Sequence, residues 1–409
     1  MNLPRAISCM RPGLVAIAGF VLCGCSTPTL NSARHNFYAG RFQQADQSLT
    51  SVKIPEQDRV LFLMERGMIR QAEGKYDDSS KDFIDASDLI DQLVTYSVSK
   101  GAASWVANDN VENFRGAPFE RTLLHAFTAN NHMARGDWDN AAVEARRIIK
   151  TLNPEQRGDY PDCAYARYLA GFCFEMIDDD SNAALQYRKA SDNSTETAVD
   201  PNTGHLKPKP PKSTNQTESV SAENLFKDEK RSRDELICFV SIGHAPRPTN
   251  DREFAWRQSS AMYATILSNG KVLGRSYNLS DTVELAFTTE QIEAVRKMAK
   301  TVGRVIVKEA IADSIEENGN NELLGEFVRF ILIGLLEQPD VRAWETLPRW
   351  LQVARVPCPP DLTSYDVEFK TANGATLRTL HVEAPIARRR NIFVSFCRDI
   401  VTPSVPAVH

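Results

Sequence analysis

Positive charge is too scarce in this chain to serve a polyanion. Its 48 Lys and Arg face 53 Asp and Glu, a formal net charge of −5 over 409 residues, which leaves no basic footprint for nucleic acid. Long apolar runs are scarce too. Gly13 to Leu22 ("GLVAIAGFVL") supplies ten residues, about half of the roughly 20 that a permanent membrane-spanning helix needs. Asn321 to Gln338 is broken by Glu326 and Arg329 and reads as a buried core helix. Of the eight cysteines, Cys9 and Cys23 precede Cys25, leaving Cys163, Cys173, Cys238, Cys358 and Cys397 in the body, with no C-x-x-C spacing. That odd set is neither a disulfide framework nor a zinc site, with room for one or two bridges in an oxidising compartment. His125 and His132 stand seven apart, about 10 Å by helical rise and too far for one metal ion. No metal or cofactor is expected.

What the chain does have begins at its first residues. Arg5 and Arg11 precede the apolar run, and "LCGC" follows it, the layout of a signal peptide over residues 1–24. The segment Leu22-Cys23-Gly24-Cys25 resembles the bacterial lipobox, which implies that Cys25 is diacylated and becomes the mature N-terminus. Acyl chains contribute about 0.8 kcal/mol per buried methylene, so the body is expected to be tethered to a membrane. Ser26 rather than Asp after the cysteine resembles the outer-membrane sorting pattern and implies a lipid-anchored, periplasm-facing protein.

Three passages repeat a pattern: "GRFQQA" (Gly40 to Ala45), "GKYDDS" (Gly74 to Ser79) and "GDWDNA" (Gly136 to Ala141), with a weaker fourth copy over Tyr165 to Ala190. The first two glycines are 34 residues apart, the tetratricopeptide (TPR) period. Gly closes one helix, the aromatic wedges between the pair and the small residue permits close approach. Residues 25–190 are therefore expected to form an all-α TPR-like array. From Ser191 to Ser221 four prolines, many Ser and Thr and almost no large apolar residues predict a flexible linker over 191–234. Beyond it, residues 235–402 read as an α+β domain with an antiparallel sheet, ahead of a tail at 403–409. "ELICFVSIG", "MYATILSNG", "RWLQVARV", "SYDVEFKT", "ATLRTLHVEA" and "NIFVSFC" are strands, with an Asn373-Gly374 hairpin turn. Helices are inserted between them, the first capped by Thr288 with Gln291.

The densest polar stretch is "ANDNVENFRGAPFERTLLHAF" (Ala107 to Phe127), carrying Asp109, Asn110, Arg115, Glu120 and His125. On a helix starting near Pro118, Glu120 and His125 are five apart and do not share a face closely, which disfavours an acid–base pair, while Phe119, Leu123, Ala126 and Phe127 form the buried stripe. Asp109 and Asn110 fit capping or turn roles, with Arg115 as their charge-assisted partner. The stretch is a structured corner that could also receive a partner. Ser97-Val98-Ser99-Lys100, Ser191-Asp192-Asn193 and Lys370-Thr371-Ala372 mimic the S-x-x-K, S-D-N and K-T-G series of penicillin-binding enzymes. The last has Ala for Gly. A cell-wall serine hydrolase is thus the alternative to a non-enzymatic scaffold.

Two longer passages, "NDNVENFRGAPFERTLLHAFTANNHMARGDWDNAAVEARR" (Asn108 to Arg147) and "QPDVRAWETLPRWLQVARVPCPPD" (Gln338 to Asp361), resemble a family of TPR-containing bacterial outer-membrane lipoproteins of unassigned function. The second carries an Arg-x-Trp-x-x-Leu-Pro element and a Pro-Pro turn. The resemblance implies a scaffold without assigned catalytic residues, associating with other envelope proteins, lipoproteins among them. A TPR array would meet such partners on its concave face.

Overall fold

The computed structural model describes residues 28–50, 54–99, 113–210, 225–226, 234–248, 254–255, 261–296, 340, 342–383 and 385–400. Cys25, Asp109, Asn110, Lys100, the run 321–338 and the tail lie outside them. The molecule is mixed α+β, with the helices mostly in the N-terminal half.

Four helical hairpins come first: α1 (Pro28–Tyr38) with α2 (Phe42–Thr50), α3 (Arg59–Ala72) with α4 (Tyr76–Ser99), α5 (Pro118–Ala134) with α6 (Trp138–Thr151), and, after the one-turn α7 (Pro154–Arg157), α8 (Ala164–Met176) with α9 (Asp180–Asn193). The repeated glycines close the first three. Gly40, Gly74 and Gly136 take φ of 73°, 83° and 71°, where a Cβ would be strained. In the weak fourth copy Asp178 adopts φ 66°, and Asp179 caps α9 through Asn182 as Asp137 caps α6 through Asn140. Within two pairs the helices approach closely at glycine. A Cβ on Gly67 would meet the Phe83 ring at 2.4 Å, and one on Gly171 the Tyr187 ring at 2.9 Å.

Nine of the described strands form two stacked sheets. One holds β3 (Glu235–Ile242), β8 (Tyr277–Asp281), β9 (Trp350–Pro357), β12 (Ala387–Arg389) and β13 (Ile392–Arg398) in the order β12-β13-β3-β9-β8; the other holds β6 (Tyr263–Ser268), β7 (Lys271–Arg275), β10 (Tyr365–Lys370) and β11 (Thr376–Val382) in the order β11-β10-β6-β7. A two-residue pair, β4 (Arg247–Pro248) with β5 (Phe254–Ala255), lies apart. The expected antiparallel sheet is corrected in one respect: β13 runs parallel to β3, with Ser395 opposite Cys238. Alternation then divides β3. Leu236, Cys238, Val240 and Ile242 join the apolar layer between the sheets, with Ala264, Ile266, Val367 and Phe369. Ile237 and Phe239 join the helical core, where Tyr165 and Phe172 pack edge-on to Phe239. Helices, five strands and four strands thus make three layers around two cores. The chain changes sheets at Ser276, between β7 and β8, where the buried hydroxyl donates to Gln352 and accepts the Ala264 N–H.

Two further expectations are corrected. The helix assigned to start at Thr288 begins earlier and covers residues 282–296. Its cap is Asp281, whose Oδ1 accepts the Val283 N–H at 2.8 Å, while Thr289 sits in mid-helix, bonded to Leu285 O. The flexible linker does not begin at Ser191 either. α9 continues to Asn193, and a hairpin of β1 (Thr197–Val199) and β2 (Leu206–Pro208) follows, with Ser191, Thr197, Val199, His205 and Leu206 buried. Polar side chains dock it: Ser191 Oγ accepts the Val199 N–H, Thr197 donates to Asn278 O and Tyr168 donates to Gly204 O.

Helices, hairpin and sheet converge on Arg355 of β9. Its guanidinium is bidentate to Glu175 of α8, with both bonds at 2.9 Å, and its Nε donates to Glu235 of β3 at 2.8 Å. His205 bonds the second Glu235 oxygen at 2.8 Å, and Tyr187 of α9 donates to Glu175 at 2.5 Å. Although desolvation pushes Glu235 up, His205 and Arg355 outweigh it and hold the carboxyl below its ordinary value. Removing one partner of a buried pair strands the others. Arg355→Ala is expected to lower the unfolding free energy by about 3–5 kcal/mol, read from the urea midpoint; a loss under about 1 kcal/mol would mean that water supports the cluster. Limited proteolysis is expected to spare 191–208, and early cleavage there would contradict the docked hairpin.

Candidate functional site

The two oxygens of Glu120 serve different parts of the chain. Three residues into α5, Oε2 accepts the Ala117 N–H at 2.7 Å and closes the helix start that alanine itself cannot cap. Oε1 accepts the Trp344 N–H at 2.8 Å. Gly116, at φ 71°, lets the chain turn beside it. The two passages that carried the family resemblance therefore meet, Glu120 from one and Trp344 from the other.

Trp344 is fully buried against the helical layer, its ring edge-on to Phe83 at 5.7 Å and Phe127 at 5.9 Å. Residues 342–347 have no helix or strand; Trp344 O and Leu347 O accept the Leu347 and Ala245 N–H groups, and other peptide groups are met by side chains. Arg34 Nη2 donates to Ala343 O at 3.0 Å, Glu65 Oε1 accepts the Glu345 N–H at 3.0 Å, and Tyr38 donates to Glu345 O. Arg34 also pairs with Glu65 at 2.6 Å and with the Glu345 carboxylate at 2.7 Å. Arg342 reaches Asp58 at 3.0 Å and Gln57 O at 3.1 Å. Desolvation lowers the Arg34 pKa, but Glu65 and Glu345 reverse this and leave it raised. Glu345 itself is pushed up by burial despite Arg34.

Beside this contact opens a cleft of about 360 Å3 whose lining includes Arg115, Arg121, Glu293, Asp340 and Arg342. Arg115 is placed here, while its expected partners Asp109 and Asn110 lie outside the described residues. Burial and then the neighbouring Arg115 charge lower the Arg121 pKa. His125 turns away: its Nδ1 meets Glu144 of α6 at 2.8 Å, and Glu144 also takes Arg147 at 3.0 Å. Glu120 and His125 thus serve different contacts, as their spacing predicts. Arg34, Tyr38, Glu65 and Asp58 escaped the sequence reading, because nothing in a helical repeat tells which polar side chain meets a segment some 300 residues away.

Other candidates scatter. Ser97 falls in the last turns of α4, Ser191 binds the Val199 N–H beside the helices, and Lys370 lies in the outer sheet, bonded to Thr376. Among the described residues no group of three or more His, Cys, Asp or Glu is placed to hold a metal ion, and no helix is long and apolar enough to cross a membrane. Neither the models of known protein families nor the curated proteins yield a match to this chain.

Burial pushes Glu120 up to about 7 against the two N–H donors, with Glu65 and Asp340 adding repulsion. A carboxyl raised on folding stabilises fully below its ordinary value of 4.5 and loses that contribution as pH rises through about 7. Thermal unfolding across this range is expected to show wild type losing stability relative to Glu120→Gln by up to about 3 kcal/mol. Gln supplies one acceptor where two are used, so the difference in slope, rather than in absolute stability, is the readout; parallel profiles would place the titration elsewhere.

Proposed function

We propose that this protein is a membrane-tethered scaffold lipoprotein of the cell envelope, TPR-like in its helical half, that mediates protein–protein contacts in envelope assembly or regulation. The observation that carries the reading is the run of helical hairpins closed by glycines at positive φ. Gly67 against Phe83 and Gly171 against Tyr187 repeat one close approach at the same sixteen-residue interval, in keeping with the small-residue and aromatic positions of the TPR pattern. The first helix of each pair turns inward, shown by Arg34 and Tyr38 of α1, Glu65 of α3, Glu120 of α5 and Glu175 of α8, all bonded to the C-terminal half. Inward first helices are the arrangement of an array that reads a ligand on one face.

The tether rests on the lipobox-like segment ending at Cys25, with α1 beginning at Pro28. Ser26 supports the outer membrane, periplasm-facing, as its location. The penicillin-binding alternative draws no support from Ser191 and Lys370, which sit in different layers.

Cys25→Ser is expected to abolish incorporation of labelled palmitate and to release the protein from the membrane fraction or leave its signal uncleaved. A variant that still carries label and sediments with outer membranes after a salt wash would refute the tether. Crosslinking of the wild-type chain in intact envelopes is expected to capture discrete protein partners, and their absence would refute the scaffold.

A further inference from the structure

The inward face of the helices is already occupied, and the manner of occupation resembles a bound peptide more than an ordinary core. In a core built from regular elements, main-chain groups pair with one another. Here four of the five groups from Ala343 O to Glu345 O are each met by a side chain of the helical layer, Ala343 O by Arg34, the Trp344 N–H by Glu120, the Glu345 N–H by Glu65 and Glu345 O by Tyr38, while the fifth, Trp344 O, accepts the Leu347 N–H at 3.3 Å. Side chains that hold a main chain in this way bind any sequence of the right shape, and selectivity falls to the anchors. The anchors are Trp344, between Phe83 and Phe127, and Arg342, paired with Asp58.

The fit is incomplete. Trp344 Nε1 and Glu65 Oε2 are buried without a hydrogen-bond partner, and an unmet buried group weakens the bound state. A segment held this way can be exchanged for one that fits equally well.

The geometry points to a peptide-recognition site on the inward faces of α1, α3, α4 and α5 that residues 342–347 occupy as an internal ligand, and that takes in trans a peptide carrying a tryptophan with an arginine two residues before it and a turn after it, as the Leu347 N–H closes onto Trp344 O here. This rests on the scaffold reading and names its class of partner. The internal segment lowers the apparent affinity for such a peptide, because a ligand on the same chain is present at high effective concentration.

The test uses the purified full chain and a fluorescein-labelled copy of residues 340–349 (DVRAWETLPR), read by anisotropy, with the same peptide carrying Ala for Trp as control. Trp344→Ala vacates the pocket and is expected to bind the labelled peptide at least about tenfold more tightly than wild type, to bind the control peptide no better than wild type does, and to regain melting temperature when peptide is added. A folded Trp344→Ala chain that ignores the peptide, or takes both peptides alike, would overturn the site. Should that variant fail to fold, the double variant Arg342→Ala/Glu345→Ala loosens the internal segment while leaving Trp344 in place. It is expected to bind the peptide about tenfold more tightly than wild type, and binding indistinguishable from wild type would equally refute the proposal. Acyl labelling and envelope crosslinking do not depend on this peptide, so failure here leaves the scaffold reading standing on its own tests.

Discussion

A guanidinium removed from water has to be paired completely, and the meeting of α8, α9, the 197–208 hairpin, β3 and β9 is arranged around that need. Arg355 has two carboxylates, and these in turn have Tyr187 and His205. The desolvation cost is several kcal/mol per ion, so the cluster's value lies less in net stability than in what it forbids. Side chains alternate along β9, with Ala354 and Val356 in the apolar layer between the sheets. A slip of one residue against β3 would drive Arg355 into that layer. Gly204 belongs to the same constraint, since a Cβ there would lie 2.6 Å from the guanidinium.

The opposite end of the helical layer is held differently. Around Trp344 the Glu120 carboxylate accepts two peptide N–H groups, Glu65 accepts one beside two bonds from Arg34, and Arg34 bridges both parts of the contact. Every nitrogen of the Arg355 guanidinium is bonded to a carboxylate, whereas at the Trp344 end Trp344 Nε1, Glu65 Oε2 and Thr346 Oγ1 are buried without a partner. One face is thus fixed firmly at one end and less completely at the other, an arrangement suited to local opening without loss of the whole layer.

Much of this was legible in the sequence where periodicity carries the information. The glycine-closed hairpins and the principal strands stand where their patterns put them, and Asn269-Gly270 turns β6 into β7 with φ of 50° and 74°, because local backbone chemistry decides such features. The failures share a cause. Ser191, Thr197 and His205 look like linker residues by composition, yet their hydroxyls and ring bond the hairpin to distant groups, so a polar segment becomes ordered without a large apolar payload. Thr288 followed by Gln291 matches a capping pattern, but Asp281, tied also to Arg349 and Trp350, begins the helix about two turns sooner. The parallel pairing of β3 with β13 leaves no local mark. At the candidate site Glu120 stood out by its position near a helix start and the Arg-x-Trp element by its resemblance, but their union is a tertiary fact that neither local pattern contains.

The parallel pair also orders events in time. β3 is flanked by β9 and β13, both from the last part of the chain, and Arg34 waits for Glu345 across 311 residues of sequence. A chain emerging N-terminus first therefore has helical pairs that can close locally, but an inner surface that stays wet until nearly the last strand appears. Contacts of such long range are slow to form. Compaction of the inner surface is therefore reserved for the end of the chain's synthesis.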